Sequence, residues 1–138
     1  MIGAMRFLDA HLPELVRRPV RSLNFDGAGA PGALVLLESY GAGRRFAPQI
    51  AEVAHEAARD AGERLRRVWM PPAMGIDAIP FHHRGVPCLT FSSGSLGRAT
   101  IAVHSAGDVA EHLDAATLGR VAELARRVSL RLAGGMVR

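Results

Sequence analysis

Ala33 to Glu38 reads ALVLLE, a continuous apolar run of the kind a strand carries when layers cover it on both faces. A chain holding such a strand needs a sheet with helices packed against it, and the surrounding pattern supplies both. Ile2, Met5, Leu8 and Leu12 recur at helical spacing, with Pro13 placed to end or kink the segment. Val20 to Asp26 (VRSLNFD) reads as a strand that runs into the glycine-rich GAGAPG. From Pro48 to Ala61, the positions Ile50, Val53, Ala54, Ala57 and Ala61 share a helical face. Glu52, Glu56, Arg59 and Asp60 lie mostly on the other face, and Gly62 is a C-terminal stop. Arg66 to Met70 reads as a strand halted by Pro71 and Pro72, Pro80 to Arg84 as a helical turn, and Pro87 to Ser92 as a strand. Ser93 to Gly107 is expected to be an irregular functional loop. Asp114 then caps a long helix with Leu118, Val121, Leu124, Ala125, Val128 and Leu132 on one face, ending at Gly134 and Gly135. Strands alternating with helices predict an α/β fold, a layered sheet, mixed and mostly parallel, flanked by helices. With no repeat and no low-complexity linker, residues 1–138 read as a single domain.

Composition narrows the partners. All 17 basic residues are Arg, and they exceed the acidic ones enough for a net charge of +4. They are scattered among Asp and Glu and are not interleaved with aromatics, so they read as a solvated surface and not as a nucleic-acid interface. The single cysteine, Cys88, excludes an internal disulfide and sits in the apolar run VPCLTF, where it reads as a small buried hydrophobe. No apolar run approaches the roughly 20 residues that span a bilayer, and no signal peptide is visible. A cytoplasmic protein without membrane contact is expected.

Several motifs satisfy a pattern without its physics. Gly27, Gly29 and Gly32 spell GxGxxG after a strand, but they lead into a second strand and not into the helix N-terminus that a dinucleotide pyrophosphate needs. A turn between strands is the reading. His55 and Glu56 begin an HExxH-like string whose final position, 59, is Arg, so the second ligand is missing. Adjacent His82 and His83 point in different directions and do not chelate together. Ser93 or Ser95 with His104 and Asp108 has the residue types of a catalytic triad but no nucleophile elbow. Asp26 and His104 differ from these. Asp26 ends a strand at a glycine-rich turn, a common edge for α/β ligand sites, and a carboxylate with an imidazole suits zinc.

The order of three blocks carries a resemblance. SLNFDGAGAPGALVLLES resembles the strand and Asp-Gly turn of the zinc aminopeptidase family, the bacterial exopeptidases of leucyl aminopeptidase type. IDAIPFHHRGVPCLTFSSG is similar to that family's Ser-Asp-His, Phe, Gly-Ile-Pro segment, and VHSAGDVAEHLDAATLGRVAELA to its His-Thr-x-x-Asp, Leu-Asp cap and last helix. The resemblance implies that Asp26 and His104 are zinc ligands of a two-metal centre. It also implies that Asp77 and Asp108 are supporting residues beside them. Ile76 and Ala78 replace the family's flanking Ser and His, Ser105 replaces its Thr, and Val103 stands where many relatives carry a Tyr.

The resemblance also implies what these residues do not include: an upstream His-x-Asp, a bridging Asp, and a Glu-Glu pair that supplies the general base. MIGAM resembles the residues after that pair, and the first helix lacks a capping side chain. The chain therefore reads as the C-terminal half of a zinc-exopeptidase domain with the N-terminal half absent, and no catalytic residue is assigned within it. A two-zinc hydrolase activates a bridging water with metals about 3.5–4 Å apart and needs a carboxylate to move the proton. Complete, the domain would cleave N-terminal residues from peptides; alone, it is expected to be inactive. Open strand edges and helix faces predict self-association or a companion N-terminal segment. The alternatives are a non-catalytic binding module that keeps the fold, or carboxypeptidase or cyclase chemistry.

Overall fold

The computed structural model describes residues 1–72, 74–95 and 105–135. Helix α1 (Ile2–Leu15) leads to β1 (Ser22–Phe25), β2 (Leu34–Tyr40), the two-residue β3 (Arg44–Arg45) and α2 (Pro48–Asp60). Then come β4 (Leu65–Met70), α3 (Ala78–His83), β5 (Cys88–Ser93) and the final helix α4 (Ala115–Ala133). These form a mixed sheet flanked by helices. Strand β1 pairs with β5 in parallel and β2 with β4 in parallel; the two pairs meet where β2 runs antiparallel to β5. Strand β3 returns antiparallel along the end of β2.

The central strand is the one its apolar run announces. Leu34, Val35, Leu36 and Leu37 are all buried, so both faces of β2 are covered. Phe91, Leu124 and Val128 join them in the same core cluster as the inner face of α2, through Ile50, Ala54 and Ala57. Helices α2 and α4 pack against each other and against β2, whereas α1 packs on α3. The core is aliphatic in composition, as the shortage of aromatic residues requires.

Three differences from the sequence expectation have local causes. Pro13 lies inside α1, which continues to Leu15 because a proline forfeits one backbone donor and Val16 N still reaches Leu12 O at 3.0 Å. Strand β2 runs on past Glu38 to Tyr40, with a register shift against β4 between Leu37 and Ser39 that makes Glu38 a bulge residue. Leu118 shares the spacing of the buried face of α4 but is 43% exposed, because in the first turn the buried stripe passes through Thr117 instead. The other predicted helices and strands are present within one to three residues of their expected ends, and most of the loop expected over 93–107 lies outside the described residues. Among the described residues no helix is long and apolar enough to cross a membrane.

Leu36 is fully buried in the middle of β2. Leu36→Ala is expected to lower the unfolding free energy by about 2–5 kcal/mol, through lost burial plus the cavity left behind. Denaturant titration with an unchanged slope would measure it.

Candidate metal centre

Strands β1 and β2 both pair with β5, one on each side, so the connection from β1 to β2 has to pass over the end of β5. The glycine-rich run after Asp26 is that crossing. Gly32 has φ +132°, and a Cβ there would stand 3.2 Å from Gly94 Cα at the end of β5. Gly29 has φ +99°, and a Cβ there would meet Leu113 Cδ2 at 3.2 Å. The glycines serve close backbone approach, which is why they can spell a dinucleotide fingerprint without a helix behind them.

Hydrogen bonds tie the crossing to β5 on both sides of Asp26. Asp26 N donates to Phe91 O at 3.1 Å, extending the parallel ladder by one residue. Gly27 O accepts from Ser92 Oγ at 3.3 Å and from Ser93 N at 3.4 Å. Gly29 N donates to the buried Ser93 Oγ at 2.8 Å, and Gly29 O accepts from Asp114 N at 2.8 Å. Arg120 closes the far end of the crossing. It donates to Gly32 O at 3.3 Å while its Nε donates to Glu63 at 2.7 Å, and the guanidinium holds the Glu63 carboxyl below its usual range.

This edge brings together the turn that begins at Asp26, the end of β5, and the cap of α4. Asp26 is exposed at the C-terminal end of β1. Asp108 is exposed too, in a turn where its N–H donates to Ser105 O at 3.1 Å and Gly107 N donates to Ser105 Oγ at 3.1 Å. His112 Nδ1 donates back to Gly107 O at 2.9 Å, and the chain then reaches Asp114 and the contact with Gly29. His104 lies outside the described residues, between the end of β5 and this turn. Asp77 stands elsewhere. It lines a cavity of about 260 Å³ with Ser22, Asn24, Cys88 and the first half of α1, and it pairs with the N-terminal ammonium at 2.7 Å. Among the described residues, no three His, Cys, Asp or Glu side chains converge on one point.

The rejected motifs resolve into packing. His55 is buried on α2 and bonds to buried Glu38, which also accepts from Arg67 at 3.2 Å. Arg45 lies 3.6 Å from Glu38, and Arg67 continues to Glu52 at 3.2 Å. The sequence reading missed this cluster, although a Glu closing an apolar strand followed by a His on the next helix was its signal. His83 meets the Tyr40 hydroxyl at 3.2 Å, and His82 turns edge-on to Tyr40 and Phe46. Burial, with His83 and Arg44 nearby, holds His82 below the usual imidazole range. Cys88 is buried, and its thiol is pushed up to about 11, which suppresses thiolate chemistry. Ser93, weighed in the sequence as a nucleophile, is instead a buried acceptor for Gly29 N.

The sequence model of peptidase family M28 matches residues 1–129. No curated protein matches the chain in sequence. Among solved structures, an aminopeptidase from Aneurinibacillus sp. strain AM-1 aligns with TM-score 0.70 and 17% identity, over 94% of this chain and 30% of that one. BSAP, a zinc aminopeptidase from Bacillus subtilis, aligns with TM-score 0.63 and 20% identity, over 96% of this chain and 32% of that one. At these identities the likeness is one of fold, and the chain spans about a third of the length of the aminopeptidases it matches.

Asp114 caps α4 through Thr117, whose hydroxyl and N–H both bond its carboxylate and hold it below the usual carboxylate range. Because the folded-state pKa lies below the unfolded one, the extra stability is fully present above the usual Asp pKa and is lost as pH falls through the folded value. Asp114→Asn is expected to flatten the acid limb of a melting-temperature against pH profile, compared with the unsubstituted protein. An acid limb of unchanged steepness would remove this carboxylate as its source.

Proposed function

The chain belongs to peptidase family M28, and from that premise we propose that it forms the C-terminal part of a zinc aminopeptidase site, with Asp26 and His104 as metal donors. The observation that supports this most directly is the meeting of three distant segments at one sheet edge. Gly29 binds Ser93 on one side and Asp114 on the other, so the turn after Asp26, the strand leading toward His104 and the start of α4 are held together.

The donor chemistry is tested by what this edge contains. Asp26 is an exposed carboxylate at a strand end, a hard donor of the kind zinc accepts, and His104 would add an imidazole. Two protein donors fall short of the three that a catalytic zinc takes. These residues therefore fit part of a zinc centre, and the reading requires further donors and a general base from outside the 138 residues. Asp108, in the turn that follows His104, would fix that loop, and Asp77 would serve the packing of α1 more directly than the metal. In the completed domain the substrate would be the N-terminal residue of a peptide. The chain by itself would bind zinc weakly and hydrolyse nothing.

Purified chain supplied with zinc is expected to release no amino acid from an aminoacyl p-nitroanilide above the zinc-only control. Zinc retained by the purified chain in equilibrium dialysis against excess zinc should fall in both Asp26→Asn and His104→Ala. Sustained zinc-dependent release would overturn the partial-site reading, and unchanged zinc retention in both variants would remove these residues from the donor set.

A further inference from the structure

We propose that the open edge of β4 pairs with the same edge of a second copy of this chain, an inference independent of the zinc reading. Among the described residues, β4 pairs with β2 on one side and with no strand on the other. Met70 O accepts from Gly41 N at 3.1 Å, so Met70 faces β2. With a period of two, Val68 and Arg66 face β2 as well, and the N–H and C=O groups of Leu65, Arg67 and Trp69 point outward. The six residues of β4 contain no proline and offer a longer free ladder than the four of β1. Trp69, the only tryptophan of the chain, is 50% exposed on this edge.

The edge is complementary to itself. In a two-fold antiparallel pairing centred on Val68, Arg67 stands opposite the second copy's Trp69, and Trp69 opposite the second copy's Arg67. Each such pair exchanges two backbone hydrogen bonds, which satisfies the outward groups of both residues in both copies. Opposite residues of an antiparallel pair share a face, so each indole lies beside a guanidinium, and a cation is attracted to an aromatic ring. A cavity of about 480 Å³ lined by Glu38, Gly43, Arg45, Arg67 and Trp69 leaves room for the ring. Charges ordinarily keep sheet edges apart, but here they are answered or distant. Arg67 already bonds Glu38 and Glu52, each at 3.2 Å. The two Arg66 stand four residues apart along the ladder, roughly 13 Å, beyond the Debye length of about 8 Å in physiological salt. An unrelated strand would gain the hydrogen bonds without the two matched pairs, and this difference selects a second copy. Each indole buries at most about 150–250 Å², so the interface is of the small class and the dimer is weak and concentration-dependent.

The test uses the full chain, with sedimentation at rising concentration and the emission of its single tryptophan as readouts. A monomer–dimer equilibrium is expected, with Trp69 emission moving to shorter wavelength as dimer accumulates. Trp69→Arg sets guanidinium against guanidinium at two places in the interface and should weaken dimerisation by about tenfold or more. Phe25→Arg, on the β1 edge, should leave it unchanged. A chain still monomeric at about 1 mM, where even a small interface is populated, would overturn the proposal. So would association lost in Phe25→Arg and kept in Trp69→Arg. Should Trp69→Arg fail to fold, a disulfide trap decides. Val68→Cys places one thiol on the two-fold axis, opposite its own copy at a non-hydrogen-bonded position, within the spacing a disulfide accepts. Diamide takes the electrons of the two thiols as the intermolecular disulfide forms, whereas buried Cys88 stays reduced. Covalent dimer is expected from Val68→Cys and not from Leu23→Cys on β1. No dimer from Val68→Cys, or an equal yield from Leu23→Cys, would remove β4 as the pairing edge.

Discussion

One antiparallel ladder, β2 against β5, joins the two parallel strand pairs into a single sheet, and the arrangement of the candidate site follows from it. Leu34 stands opposite Ser93 and Leu37 opposite Thr90, so the start of β2 lies beside the end of β5. Strand β1 runs parallel to β5 on its other side. A chain leaving β1 at Asp26 can enter β2 only by crossing the end of β5. The apolar run of β2, buried on both faces, is what holds that strand in the centre. The glycines, the serine hydroxyls and the exposed Asp26 are consequences of a short crossing over a strand end with little space above it.

The opposite end of β2 handles its polar groups differently. Glu38 is buried at a bulge, where an unpaired carboxylate would be heavily penalised by lost hydration. His55 and Arg67 supply its hydrogen bonds, and its own carbonyl accepts from Phe46 N at 2.7 Å, fixing the return from β3 into α2. Such a cluster contributes less to net stability than its distances suggest, because burying the charge offsets much of the attraction. Removing one member is worse than never having had the cluster, since the rest would be left buried and unpaired. At the Asp26 end the residue is exposed, and the ties that hold the crossing run through backbone groups and serine hydroxyls.

Element type and order were legible in the sequence because burial imposes a period. The ALVLLE run, the inner face of α2 and the buried stripe of α4 could each be read directly, and Asp114 could be read as a cap because its role is local. What local pattern could not carry was long-range pairing. Glu38 with His55, Gly29 with Ser93 and Arg120 with Gly32 each join residues from separate elements, and nothing in their own neighbourhoods marks them as partners. Leu118 shows the converse, a position with the right spacing whose place on the buried face is taken by Thr117. The family was legible by resemblance, whereas the position of Asp77 beside α1 depends on how α1 and α3 pack.

A carboxylate proposed as a metal donor, as Asp26 is here, can be positioned in two ways. Metal binding can fold the polypeptide around itself, as in small zinc domains, where the ligand geometry is lost with the ion. Alternatively the fold can hold the donor in advance, so that the metal meets a carboxylate whose freedom has already been spent in folding. Every tie described here, from Phe91 O through Gly27 O to Ser93 Oγ, is made between protein groups and needs no ion. These ties fix the backbone on either side of Asp26. The backbone path at this edge depends on the β2–β5 ladder and on the buried Ser93 hydroxyl beside it.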